Sequence, residues 1–566
     1  MMKPIQIVDL FAGPGGLGEG FNSIRMSDGS RAFQTLISVE KEPSAHRTLT
    51  LRAFYRLLRD SELGMSTYYS YLQGGTHPSE NESTQHLWEQ ARQEALCLTL
   101  GSEDGNEILE KRLGEELDTE QDWVLIGGPP CQAYSLAGRS RNRGNKDYRP
   151  EKDDRHFLYK EYLNIIARFQ PSIFVMENVK GILTSKVGRD RIFGQILSDL
   201  RDPAAATGIQ GTEFSSYAKD GYTIFSLENS DVYYPDGGTL FESSPLAEDK
   251  YGAFTIRAER HGIPQARHRV ILVGVRNNIV QDLGAPTLAD ILKIPKAGLD
   301  EQVTAADVLA ELPMLRSGLS RQQDSDEAWC DIIKHLATRI ADELTVHSSE
   351  HVKATDRKLI VEELRRISNK PAMELKRKPS SESVIRLIRP TNRLGKWYHG
   401  SQAPNKKGPW YNHETRAHME QDLARYLYCA SFAKVTGRAP KGSQEIYLDS
   451  LTPSHANWKS GKFADRFSVI LENQPSKTIT SHISKDGHYF IHYDPSQCRS
   501  LTVREAARLQ TFPDDYYFEG NRTQQYVQVG NAVPPLLARL IANQVASALE
   551  LIRKNHDQDI SRISSI

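Results

Sequence analysis

The most reactive group this sequence offers is a cysteine in a rigid turn. Gly127-Gly128-Pro129-Pro130-Cys131-Gln132 follows the apolar run Trp123-Val124-Leu125-Ile126, so two prolines of fixed φ hold the thiol where a strand ends. A free cysteine is most often a small buried hydrophobe. The prolines and the strand end favour a nucleophile, because a thiolate attacks efficiently only when it is held in place. Glu177, with Asn178 after it, ends another apolar run and is a carboxylic acid able to donate a proton; its blander reading is an exposed or helix-capping glutamate. Asp9-Leu10-Phe11-Ala12-Gly13-Pro14-Gly15-Gly16-Leu17-Gly18 places glycines between a strand and a helix N-terminus, where backbone can approach a ligand closely. A structural turn or any nucleotide site fits that segment about as well. Glu40 ends the next strand, where a carboxylate can accept from both hydroxyls of a ribose.

The elements that must position these residues alternate between strand and helix over the first 275 or so residues, the pattern of a doubly wound sheet. Strands are expected at 5–10, 35–39, 123–126, 173–176 and 270–275, with helices to about Arg25 and over 154–169. The last strand follows Gln265-Ala266-Arg267-His268-Arg269. Four of the five carry a polar or glycine-rich sequence at the carboxyl end, where open parallel sheets bind ligands. Residues 51–121 interrupt the alternation and read as an acidic insertion, with 15 acidic residues between 60 and 122 against Arg92, Lys111 and Arg112. Between 353 and 416 the balance reverses to 16 Lys and Arg against 6 Asp and Glu, with Trp397, Tyr398, Trp410 and Tyr411 interleaved. Basic residues mixed with aromatics fit a nucleic-acid surface, and a solvated charged face is the competing reading.

Composition excludes a fibre or a disordered chain, since 39% hydrophobic and 25% charged residues are globular values. The N-terminus lacks a signal peptide's apolar region, and the longest apolar runs fall short of the ~18 residues of a membrane span. A cytoplasmic protein without membrane attachment is the expectation. Cys97, Cys131, Cys330, Cys429 and Cys498 form neither a disulfide framework nor a CxxC metal pair, so no metal is expected.

Six segments in order resemble the signature motifs of the C5 cytosine-specific DNA methyltransferases of bacterial restriction-modification systems. They are the glycine turn from Asp9 to Gly16, Gly128-Pro129-Pro130-Cys131-Gln132, Glu177-Asn178-Val179, Gln265-Ala266-Arg267-His268-Arg269, Arg504-Glu505-Ala506-Ala507-Arg508-Leu509-Gln510-Thr511-Phe512-Pro513, and Gly530-Asn531-Ala532-Val533-Pro534. The resemblance implies a Rossmann-like, S-adenosyl-L-methionine-dependent catalytic domain over 1–275. It further implies a smaller, irregular target-recognition domain over 276–465 and a C-terminal part, 466–566, that returns to the catalytic domain. It implies that Phe11 stacks on the cofactor's adenine, that the turn with Asp9, Gly13, Gly15 and Leu17 approaches its methionyl part, that Glu40 holds the ribose, and that Pro130, Asn531 and Ala532 complete the pocket. Cys131 would add to C6 of a flipped cytosine, Glu177 would protonate N3 and Arg269 would bind O2, with Asn178 and Arg267 beside them. Tyr134 stands where the family most often has phenylalanine, and no residue is assigned to the adenine amino group.

The partner implied is double-stranded DNA, bound by a monomer, with a cognate restriction endonuclease encoded nearby. Two alternatives stay open. A branch of the family methylates tRNA with the same chemistry, but its Cys-Phe-Thr tripeptide is absent and Cys429-Ala430-Ser431 is the nearest match. A catalytically silent DNA-binding relative would be free to lose Cys131, Glu177 and Arg269, all of which are present. A nicotinamide oxidoreductase would leave the Pro-Pro-Cys-Gln segment unexplained. The target sequence is not readable from irregular loops.

Overall fold

The computed structural model describes residues 3–130, 158–187, 190–209, 221–233, 248–298, 301–380, 394–399, 410–454, 458, 466–485 and 487–563. Two compact units emerge. One is Met1–His261 with Arg267–Ala297 and Ala532–Ile566; the other is Gly262–Ala266 with Gly298–Asn531. The chain changes unit after His261, Ala266, Ala297 and Asn531. Alternation is a local signal, whereas membership of a unit depends on what each helix packs against.

Among the described residues of the first unit nine strands form one sheet: β1 (Ile5–Leu10), β2 (Phe33–Val39), β3 (Ala95–Leu96), β4 (Trp123–Gly127), β5 (Ile173–Val179), β6 (Tyr222–Phe225), β7 (Val232–Tyr233), β8 (Thr255–Arg257) and β9 (His268–Arg276). Their order is β3-β2-β1-β4-β5-β9-β6-β7, with β8 on β9. β1 pairs in parallel with β2 on one side and β4 on the other, so it is the switch point at which an open α/β sheet forms its ligand crevice. Strands β1 and β4 are buried almost throughout, as required of a sheet covered on both faces.

The expected parallel alternation holds only as far as β5. β9 runs antiparallel to both β5 and β6, a direction that leaves no trace in the composition of a strand. Gly274 faces Phe174 across that pairing, and a Cβ there would come within 2.1 Å of the phenyl ring, so the strands can close around Phe174 only with glycine at 274.

The helices of this unit used below are α1 (Gly16–Asn22), α2 (Pro43–Arg59), α3 (Ser66–Leu72), α4 (Gln85–Glu94), α5 (Glu103–Glu116), α6 (Leu158–Phe169) and α7 (Ile192–Arg201). The segment expected to be an insertion from residue 51 begins in the middle of α2 and supplies the edge strand β3, parallel to β2. A two-residue strand has no period to detect. Buried ion pairs tie the segment down: Arg52 of α2 grips Glu19 of α1 at 2.5 and 2.9 Å, and Arg56 pairs with Glu94 of α4. Tyr162 of α6 places its hydroxyl 3.2 Å from the Leu125 carbonyl and 3.0 Å from that of Val175, which fixes α6 to two strands.

In the second unit α8 (Asp326–Val346), α9 (Ala354–Asn369) and α10 (Glu420–Thr436) pack on one another, where the sequence was read as irregular. Trp329, Ile333, Leu336, Ala337, Ile340 and Leu344 line the buried face of α8, and the charged residues between them belong to its exposed face. Isolated bridges Val469↔Ile491 and Ile491↔Ser500 tie together the described backbone before α11. Helices α11 (Val503–Leu509) and α12 (Arg522–Asn531) follow.

The chain then re-enters the first unit as α13 (Pro535–Ile563), which packs against α1. Residues 522–555 are long and apolar enough to cross a membrane, but half of that window is buried in the protein. The buried positions Leu537, Ile541, Val545, Ala548 and Ile552 form one stripe, the mark of a core helix. At the crossing a Cβ on Gly20 would lie 2.4 Å from that of Ala538 and 2.5 Å from the Arg539 nitrogen.

Candidate active site

The turn after β1 is built for close approach. Phe11, Gly13 and Gly15 all have positive φ, at 58°, 58° and 91°. Glycine takes that region freely, whereas an aromatic residue is held there at a cost, a pattern common at functional sites. The Ala12 amide donates to the Val39 carbonyl at 3.0 Å and the Gly13 amide to Glu40 Oε2 at 2.9 Å, so the turn and the end of β2 are fixed together. Glu40 Oε1 accepts from the Glu42 amide at 2.7 Å. Each carboxylate oxygen keeps a free lone pair.

Asp9 lies beneath this turn, 1% exposed, and Oδ1 has no hydrogen-bond partner among the described residues. Burial pushes its carboxyl up to about 8, against the opposing effect of the Gly18 amide. Burial also raises Glu40. Leu17 turns into the core, 4% exposed, and leaves only backbone for a ligand.

Next along the sheet, β4 ends at Gly127 and β5 carries Glu177 and Asn178. A Cβ on Gly128 would lie 3.2 Å from Glu177 Oε2. Asn178 donates from Nδ2 to the Pro129 carbonyl at 3.3 Å and accepts the Val179 amide on Oδ1 at 2.8 Å. The backbone is therefore tethered to β5 up to Pro130. Cys131 lies outside the described residues, as does Tyr134.

Because β9 is antiparallel to β5, Arg269 stands opposite Val179. The N-terminal end of one strand thus supplies side chains to the carboxyl edge of the others. Arg269 Nε meets Glu177 Oε1 at 2.9 Å, with both side chains about 15% exposed, and its guanidinium also donates to the His268 carbonyl at 2.8 Å. Burial lowers the pKa of Arg269, with Glu177 opposing; Arg267 falls further, because the like charge of Arg269 adds to burial. Guanidinium stays protonated in proteins. The shifts therefore mark two cations kept in a dry place, and the first is partnered by a carboxylate.

In the second unit the segment from Arg504 to Pro513 forms a knot of buried charge. Thr502 and Glu505 make a reciprocal capping box on α11, and Arg499 holds Glu505 with two 2.6 Å bonds. Arg504 reaches the carbonyls of Pro513 and Tyr516, and Arg508 grips Asp514 at 2.9 and 2.7 Å. Tyr398, read as part of an aromatic nucleic-acid surface, is 1% exposed and donates its hydroxyl to the Arg508 carbonyl at 2.7 Å. It is a core residue. Asn531 is exposed at the end of α12, and Ala532 is buried.

Sequence reasoning assigned no role to Gln265 or Gln510, two fully buried amides that bond each other at 3.0 Å. Their only sequence signal is inclusion in two separate motifs. Of the other thiols, Cys330, Cys429 and Cys498 are buried, and Cys97 is exposed. Burial, with Glu40 and Glu42 nearby, raises the Cys97 pKa and disfavours its thiolate. No group of three metal-ligating side chains occurs among the described residues.

The family model for C-5 cytosine-specific DNA methylase matches residues 69–203 and 246–547. Over 561 residues the chain is 30% identical to the Type II methyltransferase M.Bpa9945I of Bacillus paralicheniformis, covering 96% of this chain and 99% of that one. It is 24% identical to the Type II methyltransferase M.DdeI of Desulfomicrobium norvegicum, over 98% and 92% of the two chains. It is also 24% identical to the DNA (cytosine-5-)-methyltransferase M.ApeKI of Aeropyrum pernix, over 76% and 82%.

Proposed function

We propose, from the premise that this chain belongs to the C-5 cytosine-specific DNA methylase family, a covalent mechanism in which Cys131 is the nucleophile and Glu177 and Arg269 serve the base it attacks. The chain is a DNA cytosine-5 methyltransferase of the restriction-modification type. The observation that supports this assignment of residues is the Glu177–Arg269 pair at 2.9 Å, set beside Gly128 in the chain that leads to Cys131.

The cofactor of the family is S-adenosyl-L-methionine, which when bound supplies the electrophilic methyl group. The residues of the turn fit such a ligand. Phe11 is partly buried, packed against the core at the turn, and a Cβ on Gly13 would meet nothing within 4 Å, so the backbone there faces open space. Both Glu40 oxygens can accept from ribose hydroxyls, and Asp9 keeps a buried acceptor. Pro130, Asn531 and Ala532 complete the pocket in this reading.

The pyrimidine ring is a poor nucleophile at C5 until C6 is saturated. The Cys131 thiolate forms a bond to C6 of a cytosine turned out of the duplex, Glu177 delivers a proton to N3, and Arg269 donates hydrogen bonds to O2. The electron pair then becomes available at C5, which takes the methyl group. Loss of the C5 proton to a base re-forms the C5–C6 double bond and expels the Cys131 thiolate, and N3 returns its proton to the Glu177 carboxylate, which restores the neutral aromatic ring. Arg269 also holds the Glu177 carboxyl in place, Asn178 fixes the turn before Cys131, and Arg267 adds positive potential.

Double-stranded DNA is the substrate in this reading, bound by a monomer in the cytoplasm. The unit around 298–531 reads the target site, and a nearby restriction endonuclease cuts that site when it is unmethylated. The tRNA alternative has no support from Cys429, a buried residue of α10 whose thiol burial pushes far up.

The test is transfer of tritiated methyl to DNA by Cys131→Ser, expected to be abolished while cofactor and DNA binding survive. Substantial residual transfer overturns the covalent mechanism. Bisulfite sequencing of DNA from cells expressing the protein identifies the site, and DNA containing 5-fluorocytosine should trap the wild-type enzyme as a shifted band on a denaturing gel.

A further inference from the structure

We propose that Arg260 and Lys296, gathered on the carboxylate of Glu228, form a phosphate clamp for the backbone of the DNA strand from which the cytosine is turned out; this rests on the reading above that the edge carrying Glu177 and Arg269 faces that base. Glu228 Oε1 meets Lys296 Nζ at 3.1 Å and the Arg260 guanidinium at 3.8 Å, while Oε2 meets His261 Nε2 at 3.1 Å. The Glu228 side chain is 14% exposed, whereas those of Arg260 and Lys296 are 51% and 47% exposed. Two cations thus share one shielded acid, and the positive charge left over faces outward. The neighbouring carboxylate, Glu259, is paired with His268 at 2.9 Å. Because both cationic heads touch the same oxygen, they stand within about 7 Å of each other, a span that one phosphate bridges by giving an oxygen to each. Half-exposed ion pairs add little to stability, so the consequence of this arrangement is the gathering of charge.

The backbone beneath these side chains is fixed entirely within the first unit. The Ile294 amide donates to the Leu227 carbonyl at 3.0 Å, the Ala297 amide to the Arg260 carbonyl at 2.8 Å, and His261 Nδ1 to the Pro295 carbonyl at 2.8 Å. Three segments distant in sequence are laid side by side. Their place is set by the sheet. Both β5 and β6 run antiparallel to β9, so they end at the same edge, and Glu228 follows β6 there. On the other side, Arg257 of β8 pairs with His268, the Ala258 amide donates to the Arg267 carbonyl at 3.1 Å, and Arg260 comes directly after. The clamp therefore lies along the edge at which Arg269 meets Glu177, with β9 between β5 and β6. At about 4.8 Å from strand to strand that offset is on the order of 10 Å, or roughly three steps of 3.4 Å along a DNA strand. Phosphate contacts position a duplex without reading its sequence, so the clamp serves every site alike.

The experiment measures binding of the full chain to a duplex carrying its methylation site and to one without it, over a series of salt concentrations. The double variant Arg260→Ala/Lys296→Ala should bind both duplexes on the order of tenfold more weakly at about 0.15 M salt. Its plot of log affinity against log salt should be shallower by about 0.9, the share of one phosphate. Cofactor affinity should stay within about threefold of wild type, and the melting midpoint should not move, as for exposed side chains. A lowered midpoint would make the cluster a structural one and overturns the proposal. The control Arg92→Ala/Lys111→Ala removes two exposed cations from α4 and α5 and should bind as wild type does; equal weakening there would assign the effect to net charge and overturn the clamp. Neutral methylphosphonates placed one at a time along the strand bearing the cytosine should find a position that costs wild type affinity and costs the double variant none. Absence of such a position, or wild-type affinity and slope in the double variant, also overturns it. Arg269→Ala in single-turnover methyl transfer keeps the two readings apart: a wild-type rate removes the assignment of this edge to the base, while slow transfer there beside wild-type binding by the double variant sinks the clamp alone.

Discussion

Arg269 and Glu177 meet at 2.9 Å because the strands carrying them run in opposite directions. The first residues of β9 thereby reach the edge of the sheet at which β1, β2, β4 and β5 end. A carboxyl group and a cation from segments about 90 residues apart are brought beside Gly128, in the chain that leads to Cys131. Removing either should slow methyl transfer without changing cofactor affinity. Arg269→Ala takes away a donor aimed at developing charge, which is worth about 100- to 1,000-fold. Glu177→Gln removes the proton donor, worth about 100- to 10,000-fold. Single-turnover rates with wild-type-like cofactor binding check this; a loss below tenfold in both would sink the roles given to them.

Asp9 gives a prediction about stability with a definite sign. Its folded pKa of about 8 lies far above the ordinary aspartate value near 3.9. Below pH 4 the carboxyl is protonated in both states; as pH rises toward 8 the unfolded chain releases a proton that the folded one retains, and stability falls. Asp9→Asn mimics the neutral acid, so it should melt several degrees higher than wild type at pH 7.5, with the difference vanishing near pH 4. A variant that melts lower at neutral pH would show that Asp9 is ionised in the fold.

The buried histidines act in the other direction. Burial lowers His413 and His492 to about 4 and His418 to about 3, against about 6.5 unfolded. Above pH 6.5 they are neutral in both states and contribute no pH dependence. As pH falls from 6.5 to 4 the unfolded chain takes up protons that the fold refuses, costing about 1.4 kcal/mol per pH unit for each histidine once titration is under way. Denaturant midpoints should therefore drop steeply over that window, three histidines outweighing the single gain from Asp9. A flat profile between pH 6.5 and 4.5 would contradict their burial as neutral rings.

Gly20 tests the junction of α1 and α13. Alanine normally favours a helix over glycine by about 1 kcal/mol, but here its methyl group would lie 2.4 Å from the Ala538 Cβ and 2.5 Å from the Arg539 nitrogen. Backbone must move, at about 1–3 kcal/mol. Gly20→Ala should lower the melting midpoint, and Gly20→Leu should prevent α13 from docking. Wild-type stability in Gly20→Leu would mean that the two helices do not pack closely.

Much of the sheet edge that carries the candidate site is legible in the sequence by itself. Strand ends followed by Asp9 to Gly18, Glu40, Gly128 to Cys131 and Glu177 are local patterns: a short apolar run, then residues with unusual backbone freedom or charge. Such patterns need no knowledge of distant neighbours, and they were enough to locate one edge of one sheet. What only the tertiary structure decided depends on pairing across long separations. The direction of β9, and with it the contact of Arg269 with Glu177, is set by which strand it joins. The edge strand at Ala95–Leu96 exists because it lies beside β2. Tyr398 changed from an expected surface position to a core position because burial is a property of the packed molecule. Gln265 and Gln510 are unremarkable polar residues until 245 positions of sequence separation collapse to one hydrogen bond.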